Sequence, residues 1–173
     1  MKTLKVIFIL GFFTFLCYSV FSQSNQDHKR TLGLSGSIQE NQFGIMLPVW
    51  ISNDIVLAPV FDLKYAESIG TDFNLGLVSK FYFKNEKVSP YFGLRVGTAI
   101  NLPSHDNEVE TGNKIDLIGG PAFGAEYFFD EHFSFGIELQ GNLTKSDEYS
   151  YRFGNPDDLN FNTATMIYAS IYF

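Results

Sequence analysis

The sequence predicts an all-β fold: an eight-stranded antiparallel up-and-down transmembrane β-barrel preceded by a cleaved signal peptide. Three observations carry that expectation. From Arg30 to Phe173 apolar and polar residues alternate with period two, the mark of half-buried strands, and no stretch sustains a 3.6-residue period. The connections between the alternating runs are long and short by turns. The polar face of the runs is loaded with glycine, where a face bathed in water would carry Lys, Glu and Thr.

The chain opens with MKTLKVIFILGFFTFLCYSVFSQ. Lys2 and Lys5 form a positive n-region, Val6 to Leu16 an apolar h-region, and Val20 and Ser22 occupy the small-residue positions before a cut between Ser22 and Gln23. The apolar run is short for a transmembrane helix, and no cationic stop-transfer cluster follows it. Cys17 would suit a lipoprotein only with a small residue before it, and Leu16 stands there. The chain therefore divides into a signal peptide (1–22), a short periplasmic N-terminal tail (23–29) and a barrel (30–173). Cleavage removes the single cysteine and leaves 10 basic residues against 19 acidic ones, a net charge of −9.

Eight strands follow from the alternation: 30–38, 43–51, 55–66, 72–83, 89–101, 115–129, 132–144 and 163–173. Phe133, Phe135, Ile137, Leu139 and Leu143 alternate with Ser134, Gly136, Glu138, Gln140, Asn142 and Thr144 in the clearest of them. Most reach the roughly 9–11 residues that cross a bilayer at a tilt. The odd-numbered connections total 40 residues and the even-numbered ones 10, so in a meander one barrel end carries long loops and the other tight turns. Pro48, Pro59, Pro90 and Pro121 fall within or at the start of strands. A closed barrel has no free edge to accommodate them, so bulges or early strand ends are expected near Pro48, Pro59 and Pro121.

Eight glycines (Gly33, Gly44, Gly76, Gly93, Gly97, Gly120, Gly124, Gly136) share the polar parity. Small residues suit the crowded interior of an eight-stranded barrel, which places the polar face inside and the apolar face outside. Large rings gather toward the short-turn end: Trp50, Phe81, Phe83, Tyr91, Phe92, Tyr127, Phe128, Phe129, Phe133, Phe135 and Phe173. Their placement predicts an aromatic belt at a membrane–water interface. A soluble periplasmic lipocalin-like barrel is the non-membrane alternative.

A length of 173 residues fits one domain, and a net charge of −7 with no Lys/Arg-rich run argues against a nucleic-acid partner. His28, His105 and His132 show no metal-ligand spacing, so neither a metal nor any other cofactor is expected.

The last residues, Thr163-Ala-Thr-Met-Ile-Tyr-Ala-Ser-Ile-Tyr-Phe173, end in an aromatic with apolar residues alternating before it. With the alternation and the signal peptide, they make the stretch from Arg30 to Phe173 resemble the small eight-stranded outer-membrane barrels of Gram-negative bacteria, the OmpA/OmpX-like family. That resemblance implies a location in the bacterial cell outer membrane after signal-peptide-directed export, with termini and short turns facing the periplasm. It also implies that Ile167, Ala169, Ile171 and Phe173 form an insertion signature read by the barrel-insertion machinery, and that outer-membrane lipid is the solvent of the wall.

Asp62, Lys64, Lys80, Arg95, Glu126 and Glu138 fall on the inward parity, three cations and three anions. They predict an interior salt-bridge network, centred on Arg95 bridging Glu126 and Glu138, that plugs the barrel. Two long connections, 102–114 and 145–162, are acidic and rich in Asn, Tyr and Phe, with Tyr149, Tyr151, Phe153 and Phe161 as candidate contacts for an extracellular ligand. His132-Phe133-Ser134, with Glu138 nearby, is similar to the His-x-Ser arrangement of outer-membrane lipid A deacylases. Those enzymes hold their triad on the lipid-facing surface near the outer leaflet, whereas this pair lies beside a predicted periplasmic turn, so no catalytic residue is assigned. The expected function is thus a non-enzymatic envelope component, structural or acting in adhesion or surface binding through its loops. A narrow pore for ions or small solutes is the alternative and a lipid hydrolase the third reading.

Overall fold

A computed structural model describes residues 30–40, 42–66, 70–103, 114–150 and 156–173. The expected signal peptide (1–22) and N-terminal tail (23–29) lie outside these residues, as do His105, Tyr151 and Phe153. Nine segments form one sheet: β1 (Gly33–Gln39), β2 (Gln42–Met46), β3 (Val49–Trp50), β4 (Ile55–Ala66), β5 (Gly70–Tyr82), β6 (Val88–Pro103), β7 (Lys114–Phe128), β8 (Phe133–Lys145) and β9 (Leu159–Tyr172). Apart from β2 and β3, which do not pair with each other, chain neighbours pair antiparallel, β9 returns to β1, and both β2 and β3 pair with β4. β2 and β3 are two pieces of one wall strand, so the sheet is a closed eight-stranded barrel.

Prolines explain the break. Gly33 N donates to Pro48 O (2.8 Å) and Leu47 N to Pro59 O (3.0 Å), but neither proline can return the second bond of its pair. Pairing lapses there without a shift of register, since Met46 faces Val60 on one side of the gap and Val49 faces Leu57 on the other. The same happens at Gly120–Pro121, where the β7–β8 ladder skips two residues and resumes in step. An early strand end therefore occurs at Pro48, and the bulges expected at Pro59 and Pro121 do not. β4 runs through Pro59, which faces Leu77 in an unbroken register.

Burial follows the alternation. In β8 every residue from Phe133 to Leu139 on one parity is exposed, and Ser134, Gly136, Glu138 and Gln140 on the other are buried. Ile38, Ile45, Leu75, Val96, Leu117, Leu139 and Ile167 point outward from seven different segments. Ile171 and Phe173 are exposed in the same row as Ile167, and Ala169 is half-buried. A wall that exposes so many large apolar side chains is suited to lipid and not to water.

The aromatic belt is smaller than the sequence suggests. Phe81, Phe83, Phe129, Phe133, Phe135 and Phe173 are exposed on the outer wall. Phe129 stacks on Phe133 with centroids 5.3 Å apart and meets Tyr127 edge-on at 4.8 Å. Trp50, Tyr91 and Phe128, in contrast, are buried inside the barrel. Their parity already placed them there, and grouping rings by barrel end alone obscured it.

The turns at this end are short. Between β7 and β8, Asp130 accepts the backbone N–H groups of His132 (2.7 Å) and Phe133 (2.8 Å), which hold its carboxyl below the usual aspartate range. At the opposite end β6 reaches Pro103, β8 reaches Lys145 and β9 begins at Leu159. The long connections shrink accordingly to 104–113 and 146–158. Phe161 is thereby a residue of β9, exposed on the outer wall and facing Leu143, and not part of a loop.

Candidate functional site: the barrel lumen

The short-turn half of the lumen is filled. Trp50 stacks on Tyr82 (centroids 5.0 Å apart) and meets Tyr172 at 6.2 Å and Phe128 at 6.4 Å. The Arg30 guanidinium lies 3.7 Å from the Phe128 ring centroid and caps this disc. Beside the disc sits Glu126, fully buried. Its carboxylate accepts hydrogen bonds from Tyr82 (2.5 Å), Ser134 (2.5 Å), Tyr172 (2.7 Å) and Tyr168 (3.0 Å). Lys80 Nζ stands 3.6 Å from Glu126 Oε2 and 3.8 Å from the Tyr168 ring centroid. At that separation the ion pair is not a hydrogen bond. Four hydroxyls therefore replace the water that Glu126 gives up, and the lysine balances its charge.

A second carboxylate lies further from the short turns. Glu138 accepts from Tyr91 (2.8 Å) and Gln140 (2.8 Å), with Arg95 Nη1 at 3.8 Å. The Tyr91 and Tyr168 hydroxyls are 3.2 Å apart and join the two clusters.

Glycines make room for these rings. Tyr91 faces Gly124, Tyr168 faces Gly136 and Tyr172 faces Gly33 across adjacent strands. A Cβ added at Gly124 would stand 2.4 Å from the Tyr91 ring, and one at Gly136 only 2.2 Å from Tyr168. The paired Tyr and Gly on the inward parity are the signal by which these residues were findable in the sequence.

The structure groups the six predicted interior charges differently from the expectation. Arg95 pairs with Glu138 and does not bridge to Glu126, whose cation is Lys80. Glu126 faces Ser89 in the β6–β7 register, and Arg95 faces Gly120. Six residues, about 20 Å of strand, separate the two levels. Counting from strand ends assumes flush ends, whereas barrel closure staggers them. Asp62 is buried nearer the loops, hydrogen-bonded by Gln42 and Asn74 and within the field of Arg95.

Above Arg95 the lumen changes character. A cavity of about 270 Å³ occupies the long-loop half, reached by Lys64 and lined by Asp62, Asn74, Arg95, Gln140 and Asn142 among others. At the rim, the buried Asp116 accepts the Asp147 N–H (2.8 Å) and the Ser150 hydroxyl (3.0 Å), which ties the start of the β8–β9 connection to the wall. Tyr149 is exposed beside it.

His132 and Ser134 are not brought together. His132 Nδ1 lies 3.1 Å from Tyr172 O, and the Ser134 hydroxyl donates a hydrogen bond to Glu126 inside the barrel.

Neither a protein-family model nor a curated protein sequence matches the chain. Solved structures do. The N-terminal β-barrel domain of Pseudomonas aeruginosa OprF superposes with a TM-score of 0.62 at 14% identity, covering 82% of this chain and 95% of that one. Neisserial surface protein A superposes with a TM-score of 0.57 at 12% identity, covering 82% and 93%. At such identities the likeness is one of fold, that of a small antiparallel β-barrel.

Proposed function

We propose that this chain, exported behind residues 1–22, folds in the bacterial outer membrane as a plugged barrel. In this reading it serves the envelope as a structural component or through its outer end, where the connections 104–113 and 146–158 meet surface ligands. The observation that carries the proposal is the contrast across the wall: large apolar side chains cover the outside, while the aromatic disc and the Glu126 cluster fill one end of the inside. Such a wall in water would expose an apolar patch far above the few hundred Å² usual for soluble monomers. The fold shared with OprF and neisserial surface protein A supports the same location.

Outer-membrane lipid is the first partner. The insertion machinery is the second, reading the row Ile167, Ala169, Ile171 and Phe173. The reading contains no enzymatic step and no cofactor. A narrow pore is the second reading, favoured by the cavity in the long-loop half, and it requires the disc to open. Fractionation of cells expressing the full chain tests the location. The protein is expected in the detergent-soluble membrane fraction with heat-modifiable gel mobility. Recovery as a folded protein without detergent would favour the soluble barrel instead.

A further inference from the structure

We infer that the cavity in the long-loop half of the lumen is a binding site for a small, neutral, hydroxyl-rich molecule of monosaccharide size. The cavity measures about 270 Å³, close to the roughly 300 Å³ at which small-molecule sites begin. It extends to Glu40 and Asn162, both exposed, so among the described residues it opens toward the loop side. Its floor is the Arg95–Glu138 pair, with the packed Glu126 cluster beyond.

The lining asks for hydrogen-bonding partners. Asn74 Oδ1, Gln140 Oε1 and Thr144 Oγ1 are buried with no hydrogen-bond partner among the described residues, and all three residues line the cavity. Gln140 and Thr144 are 2% and 1% exposed, so these are atoms held inside the wall and not a wet surface. A buried polar atom left unpaired is costly, and a well-formed interior has few of them. Here three belong to residues that line one space, alongside Asn142 and Asp62.

Charge decides the class of ligand. Arg95 is matched by Glu138 and lies in the field of Asp62, and Lys64 and Glu40 add one charge of each sign. A site so nearly balanced has no strong preference for an anion or a cation. Planar amides and a carboxylate, each offering two adjacent polar atoms, match vicinal hydroxyls, which both donate and accept. Among the described residues the lining includes no Phe, Tyr or Trp, which disfavours an aromatic or lipid-like occupant. The site uses wall residues alone and does not depend on whether the loops bind a partner.

The test uses the full mature chain refolded in detergent micelles, with side-chain amide signals of Asn74, Gln140 and Asn142 followed by NMR. Glucose, galactose and glycerol are the neutral probes, and glutamate and lysine the charged ones. Saturable shifts of these amides by a hexose are expected, with at least tenfold weaker effects from either amino acid. Ala164→Phe, which fills the cavity, should abolish the response. Thr144→Val keeps the shape but removes the unpaired hydroxyl and should weaken it several-fold. Heat-modifiable mobility checks that each variant folds, and Thr144→Val decides alone if Ala164→Phe does not. Absence of any shift with the neutral probes in folded protein, equal or tighter binding of the amino acids, or a response unchanged in Thr144→Val would overturn the inference.

Discussion

The two halves of the lumen share one wall, one parity and one set of strands, yet they are filled in opposite ways. Toward the short turns, rings from five strands close on a carboxylate that has lost all contact with water. Toward the loops, amides and small residues leave about 270 Å³ open. The difference lies in what stands across from glycine. Where a tyrosine faces it, as at Gly124, Gly136 and Gly33, the ring folds over the missing side chain and takes up the lumen. Where Gly76 faces Gly97, nothing does. Backbone then meets backbone, with a Cβ at Gly97 placed 2.6 Å from Leu75 O.

The largest expected effect breaks the filled half. Glu126→Ala removes the acceptor of four hydroxyls and leaves Lys80 without its counter-charge, and should cost about 3–5 kcal/mol. Arg95→Ala should cost less, because Glu138 keeps Tyr91 and Gln140 as donors. Denaturant unfolding in lipid vesicles measures both, and equal costs would mean that Tyr91 and Gln140 do not sustain Glu138 once Arg95 is gone.

Next comes the wall itself. Leu139→Arg places a cation in the lipid-facing row and should cost about 2–4 kcal/mol near the midplane. Gln140→Ala, one residue on and inside, loses one hydrogen bond to Glu138 and should cost about 1 kcal/mol. A reversed order in the same unfolding assay would reverse the parity of β8.

Glycine sharpens the contrast more finely. Gly136→Ala must displace the Tyr168 ring and should cost about 1–3 kcal/mol by overpacking. Gly36 points outward with nothing within 4 Å of an added Cβ, so Gly36→Ala should change stability by less than about 0.5 kcal/mol. Comparable losses in the two variants would show that Tyr168 is not seated on Gly136.

The smallest effect concerns the loop. Shortening the connection 146–158 should leave heat-modifiable mobility intact, since closure entropy changes by only about 0.6 kcal/mol per doubling of length. Cutting the longer range 145–162 also removes Leu159 to Asn162, which pair with Asn142 to Lys145, and should disrupt folding. Identical gel behaviour of the two deletions would place the start of β9 outside the wall.

Much of this was legible in the residues. Alternation over Phe133–Leu143 and the glycine-rich polar parity sufficed for the barrel and for which face is inside, because side-chain direction in a strand has a period of two. The same parity put Tyr82, Tyr91 and Glu126 in the lumen. What alternation does not contain is the stagger between neighbouring strands. Arg95 and Glu126 look three residues apart when counted from the turns, but the register separates them by six. Lys80 reaches Glu126 with its ammonium lying over the ring of Tyr168, a contact between side chains of different strands. The cavity was hidden for a related reason: its unpaired atoms, Asn74 Oδ1 on β5 and Gln140 Oε1 and Thr144 Oγ1 on β8, come from two strands far apart in the chain that closure brings round one space. Proline effects were half-readable, since a missing N–H is local but whether the ladder slips or merely lapses depends on the partner strand.

The central claim is that the filled half seals the barrel, and planar-bilayer recording of the purified wild-type protein tests it most directly. No large, steady conductance is expected from the wild type, and openings are expected in Glu126→Ala if the variant inserts. A stable open channel in the wild-type protein would contradict it and make the narrow pore the correct reading.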